Sequence, residues 1–237
     1  MTSLSSKTVI LTGATRGIGR ATALRLAREK VRLAICGRDP DALSRVAAEA
    51  GVLSGEPVYS RSFDLSSEEA IIDFYASARG KLGPPDILVN NAGCNSRKAP
   101  VWEVSTDEFD RMIAVNLRAP FILTREVLRD MIGRKSGHIV NILSTVCHHA
   151  SETMGVYTAV KQALDGLTGV LLKEVRPLGI RVSAIYPGGT DTSFRPKSRP
   201  DYMRPESVAE AVCAVLTMPE DLIVHGLTFR PMVETNF

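Results

Sequence analysis

The feature that most constrains this chain lies near its start. The apolar run Thr8-Val9-Ile10-Leu11-Thr12 passes directly into Gly13-Ala14-Thr15-Arg16-Gly17-Ile18-Gly19, and residues 20–30 then place Ala21, Leu24 and Ala27 at helical spacing. Strand, glycine turn and helix in that order form one βα unit. Glycines allow a tight turn and let a ligand approach the free N–H groups at the positive end of the helix, which suits a pyrophosphate. The spacing is Gly-x-x-x-Gly-x-Gly rather than the Gly-x-Gly-x-x-Gly of the general dinucleotide fingerprint, so a plain βα turn is the competing reading of the motif alone.

The same alternation continues along the chain. Strand-like runs at 31–36, 57–62, 86–90, 137–143, 180–186 and 223–229 are separated by helical patterns at 40–50, from about 66, at 106–133, 153–172 and 205–218. Strands alternating with helices predict an α/β fold, a doubly wound parallel sheet of about seven strands with its site at the carboxyl ends of the strands. A chain of 237 residues that is 44% hydrophobic can bury one substantial core, so residues 1–237 are expected to form a single domain.

Composition narrows the function classes. The net charge of +3 is spread through the sequence rather than gathered in a basic arm, which argues against nucleic-acid binding. The short polar amino terminus and the lack of any run of about eighteen apolar residues argue against a leader or a membrane span, so a cytoplasmic protein is expected. The four cysteines, Cys36, Cys94, Cys147 and Cys213, show no C-x-x-C spacing and are read as reduced, buried thiols. No metal site is expected; His148 and His149 lack a carboxylate or cysteine at ligand spacing and are read as substrate-facing or exposed.

One pair of residues offers acid–base chemistry. In the helical stretch 153–172, Tyr157 and Lys161 are four apart and share a helix face, so hydroxyl and ammonium can address one small volume. A phenol of ordinary pKa near 10 is a poor acid or base at neutral pH, but a nearby fixed cation favours its phenolate. Taken alone, the spacing fits a half-buried Tyr and a solvated Lys equally well.

Cofactor preference is read past the second strand, where a dinucleotide enzyme meets the adenosine ribose. An acidic residue there would accept from a free 2′-OH; this chain has Gly37 and Arg38, and Arg16 in the glycine turn adds a second guanidinium able to hold a phosphate. That favours NADP(H). The alternatives are that both arginines are solvated, or that Asp39 reaches a ribose.

Thr12-Gly-x-x-x-Gly-x-Gly followed by Tyr-x-x-x-Lys resembles the short-chain dehydrogenase/reductase superfamily, and the likeness extends over nearly the whole chain. It implies a Rossmann fold and an NADP(H)-dependent carbonyl reductase or alcohol dehydrogenase acting on a small-molecule carbonyl or alcohol. Tyr157 would be the acid/base, Lys161 its partner at the nicotinamide ribose, Ser144, thirteen residues before Tyr157, the group that positions the carbonyl, and Asn116 the anchor of a proton relay. Pro120 lacks an N–H, so the Asn116 carbonyl four residues earlier loses its helical partner, giving that relay a physical basis. Cofactor contacts are implied for Gly13, Thr15, Arg16, Gly17, Ile18, Gly19, Arg38, Asp64, Leu65, and Asn91, Ala92 and Gly93 of an Asn-Asn-Ala-Gly peptide. Asp64 is also a candidate cap for the helix near Ser66. In Pro187-Gly188-Gly189-Thr190-Asp191-Thr192, similar to the family's Pro-Gly-x-x-x-Thr, the resemblance assigns Pro187, Gly188, Thr190 and Thr192 to the nicotinamide end.

The chain departs from the family pattern at several places. Lys30 stands where a glycine commonly closes the first helix, at a cost of about 1 kcal/mol if that residue is left-handed. Leu143 and Cys147 replace small residues beside Ser144 and are expected to reshape the pocket wall, and Thr190 replaces an aliphatic. The tail reads Arg230-Pro231-Met232 rather than Asp-Gly-Gly, which weakens a narrower reading as a 3-oxoacyl-thioester reductase. A non-catalytic dinucleotide sensor is the alternative from another class. A short, mobile substrate loop is expected over 193–205, and a homo-oligomer, tetramer or dimer, through the long helices at 106–133 and 153–176.

Overall fold

The computed structural model describes residues 2–95, 97–194 and 198–235. In chain order the elements are β1 (Thr8–Thr12), α1 (Gly17–Arg28), β2 (Arg32–Gly37), α2 (Pro40–Ser54), β3 (Tyr59–Ser62), α3 (Glu68–Leu82) and β4 (Ile87–Asn90). There follow α4 (Thr106–Ile113), α5 (Ala119–Arg134), β5 (Gly137–Ile142), α6 (Gly155–Val175), β6 (Ile180–Pro187), α7 (Pro205–Leu216) and β7 (Gly226–Phe229). The strands form one seven-stranded parallel sheet in the order β3-β2-β1-β4-β5-β6-β7. The order reverses between β1 and β4, and a crevice forms at such a point outside the carboxyl ends of the strands.

The sheet is covered on both faces, which is why its central strands read as continuous apolar runs rather than alternating ones. All five residues of β1 are buried. Val9, Leu11, Leu33 and Ile35 pack with Leu26, Val46 and Val212 on the side of α1, α2 and α7, whereas Ile10, Ala34 and Leu88 pack with Phe74, Leu123 and Leu171 on the opposite side.

Several element boundaries differ from the sequence expectation, each for a local reason. The helix predicted over 40–50 continues to Ser54, where Gly55 at φ 78° closes it in the left-handed region. The helix expected from 153 starts at Gly155, because Thr153 has φ 64°. Ser67, not Asp64, caps α3, its hydroxyl accepting from the Ala70 N–H at 3.2 Å. The long helix of 106–133 is interrupted by a wide π turn over Ala114–Arg118 just before Pro120, so the proline's missing N–H falls where the backbone register has already lengthened. Lys30 does sit at φ 58°, the strained C-terminal position anticipated for it.

Candidate active site

The glycine turn is fitted tightly into its neighbours. Gly13 adopts φ 72°, and a Cβ there would come within 2.8 Å of the Ala92 Cα. On Gly19 a Cβ would run into the Gly13 carbonyl, so the first turn of α1 can pack on the strand exit only without a side chain. Thr12 and Asn91 hold this arrangement from below. The buried Thr12 hydroxyl accepts from the Asn91 and Ala92 N–H groups at 3.1 and 3.0 Å, while the Asn91 amide donates to the Thr12 and Gly13 carbonyls at 2.9 and 3.2 Å. The Asn91 side chain therefore works mainly on the turn itself.

A cleft of about 750 Å³ opens above this junction, within the range of sites that enclose a cofactor-sized ligand. Its lining includes Gly13, Thr15, Arg16, Gly17, Ile18, Gly19, Arg38, Asp64, Leu65, Asn91, Ala92 and Gly93. It also includes Ser144, Tyr157, Lys161, Pro187, Gly188, Thr190 and Thr192, so of the catalytic and cofactor-contact candidates read from the sequence only Asn116 is missing from the lining.

α6 carries Tyr157 and Lys161 into the cleft. Lys161 is 3% exposed, donates from Nζ to the Ile142 carbonyl at 2.9 Å, and lies 5.9 Å from the Tyr157 ring centroid. Burial lowers its pKa from 10.5 to about 8, so the ammonium is retained at neutral pH against a desolvation penalty. The seat of α6 is a chain of buried amides and hydroxyls: Asn90 donates to Asn141 Oδ1 at 2.9 Å, Asn141 donates to Thr168 Oγ1 at 2.8 Å, and Thr168 donates to the Leu164 carbonyl at 2.6 Å. This network ties β4 and β5 to the helix that carries Tyr157 and Lys161.

Asn116 is fully buried behind the cleft wall. Its Nδ2 donates to the Cys94 and Met112 carbonyls, both at 2.9 Å, and its Oδ1 accepts from the Cys94 N–H at 3.1 Å. The amide thus clamps the exit of β4 to the π turn. A Cβ on Gly93 would lie 2.9 Å from Asn116 Oδ1 and 3.6 Å from Lys161 Nζ, so the glycine lets these two side chains close on the strand exit.

Ser144 both lines the cleft and caps the short 3-10 turn Thr145–Cys147, accepting from the Val146 N–H at 3.3 Å. Leu143 contributes to the wall as anticipated. Cys147, which was expected to do the same, packs instead against the cluster of Leu143, Leu164 and Ala184 and is absent from the cleft lining.

In the glycine turn and just past β2, Arg16 and Arg38 are exposed, and neither guanidinium has an acidic partner among the described residues. Asp39 is engaged elsewhere: its Oδ1 accepts from the Ala42 N–H at 2.9 Å as the cap of α2. Asp64 accepts from the Ser66 N–H at 2.9 Å and from Arg111 at 3.2 Å. Burial works against its charge, but these donors and the guanidinium outweigh it and hold its carboxyl below the usual carboxylate range.

Several lining residues had no signal in the sequence pattern. Phe194 sets its ring 5.9 Å from that of Tyr157, and the carboxyl-terminal tail folds back so that Glu234 Oε1 accepts from the Gly189 N–H at 2.9 Å. His149 lines a smaller adjoining pocket, while His148 packs on the Tyr186 ring at 4.5 Å between centroids. Of the four free cysteines, Cys36 and Cys213 are buried, but Cys94 and Cys147 are partly exposed, contrary to the expectation of four buried thiols. The flanks of the 193–205 loop are tied down, with Asp191 N–H donating to Met203 O at 2.8 Å and Met203 N–H to Gly189 O at 3.2 Å; residues 195–197 of that loop lie outside the described residues.

Comparison with known proteins agrees with this geometry. The short chain dehydrogenase family profile matches residues 7–203. An uncharacterized oxidoreductase of Staphylococcus aureus (strain MRSA252) is 32% identical over 236 residues, covering 98% of this chain and 100% of the relative. Among solved structures, an alcohol dehydrogenase from the archaeon Thermococcus sibiricus, complexed with 5-hydroxy-NADP, superposes with a TM-score of 0.90 at 29% identity over 97% of this chain and 98% of that one. A metagenomic short-chain oxidoreductase in complex with NADP gives 0.87 at 33% identity over 98% and 100%. With the glycine turn, the sheet order and the Tyr157/Lys161 pair all in one frame, the chain belongs to the short-chain dehydrogenase/reductase family of oxidoreductases.

Proposed function

We infer that this oxidoreductase is an NADP(H)-dependent carbonyl reductase or alcohol dehydrogenase, and the observation that carries the reading is the convergence of Ser144, Tyr157 and Lys161 on the cleft that begins at the glycine turn. The residues present fit a dinucleotide phosphate. The turn leaves no room for side chains at Gly13 and Gly19, Asp39 is engaged as a helix cap, and the Arg16 and Arg38 guanidinium groups, without acidic partners among the described residues, support a role in holding a 2′-phosphate. Similar structures carry NADP and 5-hydroxy-NADP.

In this reading the glycine turn, Arg16 and Arg38 hold the phosphates, Asp64, Leu65, Asn91, Ala92 and Gly93 border the adenosine half, and Pro187, Gly188, Thr190 and Thr192 border the nicotinamide half. When bound, the cofactor supplies or accepts a hydride. Tyr157 donates the proton to the carbonyl oxygen and in the reverse direction takes it from the alcohol. The Ser144 hydroxyl donates to the same oxygen and orients the carbonyl. Lys161 holds the ribose side and favours the phenolate left after proton transfer, while Asn116 fixes the backbone through which protons are replenished.

Exposed Phe109 (40%), Phe121 (45%) and Val170 (55%) on α4, α5 and α6 support a homo-oligomer through these helices. The four free thiols fit a cytoplasmic setting. No helix among the described residues is long and apolar enough to cross a membrane.

Replacing Tyr157 with Phe tests the reading. Turnover of ketones followed by NADPH absorbance is expected to fall by roughly 10²–10⁴-fold while NADPH binding persists. An unchanged rate would show that another group is the acid, and no turnover by the unaltered protein across ketones, aldehydes and thioesters would favour a dinucleotide sensor.

A further inference from the structure

We propose that the small pocket beside Ser144 is a carboxylate subsite with Arg199 as its specificity-determining residue, so that the chain acts on short oxo acids or the matching hydroxy acids. The proposal rests on the carbonyl-reductase reading of the main cleft.

A second cavity of about 250 Å³ adjoins the cleft and shares Lys98, Ser144, Val146, Met154, Gly188 and Gly189 with it. It is smaller than the roughly 300–1,000 Å³ that holds a whole ligand, so it suits one substituent of a substrate whose carbonyl sits at Ser144. Its charged lining comes from Lys98, His149, Glu152, Arg199 and Glu234.

The charge of Glu234 is already matched. Its Oε1 accepts from the Gly189 N–H at 2.9 Å and its Oε2 faces Arg230 at 3.4 Å, both side chains being 13% exposed. Arg230 also donates to His149 Nδ1 at 3.2 Å. Glu152 is exposed and screened by solvent. Arg199 differs from these: it is half-buried, its guanidinium lies 4.9 Å from the Tyr202 ring centroid, and no ion pair joins that guanidinium to a carboxylate among the described residues.

Arg199 is held in place by a built support. Its N–H donates to Asp191 Oδ1 at 2.8 Å, the neighbouring Ser198 hydroxyl donates to Asp191 Oδ2 at 3.3 Å, and residues 190 and 203 pair as a parallel bridge. A Cβ on Gly189 would occupy the position of the Tyr202 ring, so the glycine seats Tyr202 and Tyr202 underlies Arg199. A guanidinium held over an aromatic ring in the wall of a small polar pocket can meet a carboxylate in two-pronged geometry. The adjoining Ser144 would then act on a carbonyl within a few atoms of that carboxylate.

The test uses pyruvate, acetoacetate and 4-oxopentanoate, each paired with its methyl ester, as substrates of the full chain with NADPH, alongside Arg199→Met and Arg199→Lys variants. The expected result is that at least one acid outruns its ester, and that Arg199→Met lowers kcat/KM for that acid by roughly 10- to 100-fold, mostly through KM, while changing the ester by less than about threefold; Arg199→Lys recovers part of the loss. If esters are reduced and the acids are not, or if Arg199→Met weakens acid and ester equally, the subsite is wrong and the carbonyl-reductase reading stands. If neither acids, esters nor simple ketones are reduced, the underlying reading fails and this proposal falls with it.

Discussion

Replacing Lys161 with Met should make the protein more stable while removing its activity. Lys161 is 3% exposed and its pKa falls from 10.5 to about 8 through burial. At about 1.36 kcal/mol per pKa unit, that gap corresponds to roughly 3 kcal/mol by which burial disfavours the ammonium. Below pH 8 both folded and unfolded chains carry the proton, so the native state bears the whole penalty. Between pH 8 and 10.5 the unfolded chain holds more protons than the folded one, and the stability of the unaltered protein rises with pH until the penalty has gone. Methionine has no charge to desolvate but leaves the Ile142 carbonyl without its donor, a loss of about 1 kcal/mol. The variant without cofactor is therefore expected to gain about 2 kcal/mol at pH 7, a rise in Tm of roughly 4–8 °C, and to lose that advantage by about pH 10.5. Urea unfolding of both proteins at pH 7, 9 and 10.5 isolates this group, because the other titrations cancel in the difference. A variant no more stable than the parent at pH 7, with a difference that ignores pH, would refute the view that the site holds an ammonium at the expense of stability.

Two further perturbations probe other parts of the site. Arg38→Ala should raise KM for NADPH by roughly 10- to 100-fold and change that for NADH by less than about threefold; equal losses for both cofactors would remove the phosphate role. Asn141→Ala breaks the buried link from Asn90 to Thr168 and should destabilise the chain by roughly 2–4 kcal/mol with an unchanged urea m-value, whereas a loss under about 0.5 kcal/mol would show that α6 is held by packing alone.

The Tyr157/Lys161 pair marks the boundary between local and distant information. Helix periodicity puts the two on one face, and that much is a property of the backbone. Whether the face meets a glycine turn more than a hundred residues away depends on β5 lying beside β4, and on the Asn90–Asn141–Thr168 chain that presses α6 onto those strands. Asn91 gives the converse case. Its peptide was legible as a site motif, yet its amide is engaged with the Thr12 and Gly13 carbonyls, so much of its work is to hold the turn.

By itself the sequence determined what is written at short range: the βα alternation and hence a parallel sheet, the glycine turn, the pair four residues apart, the two arginines in the glycine turn and past β2, and the left-handed strain at Lys30. Only the tertiary structure decided that Asp39 would be engaged in capping α2, that the helix before Pro120 would open into a π turn clamped by Asn116, and that Glu234 and Arg199 would frame a second pocket. Turns, caps and helix faces follow from dihedral preferences of neighbouring residues, whereas a carboxylate from the tail meets the Gly189 N–H only after the β6 and β7 strands have paired and brought distant backbone together.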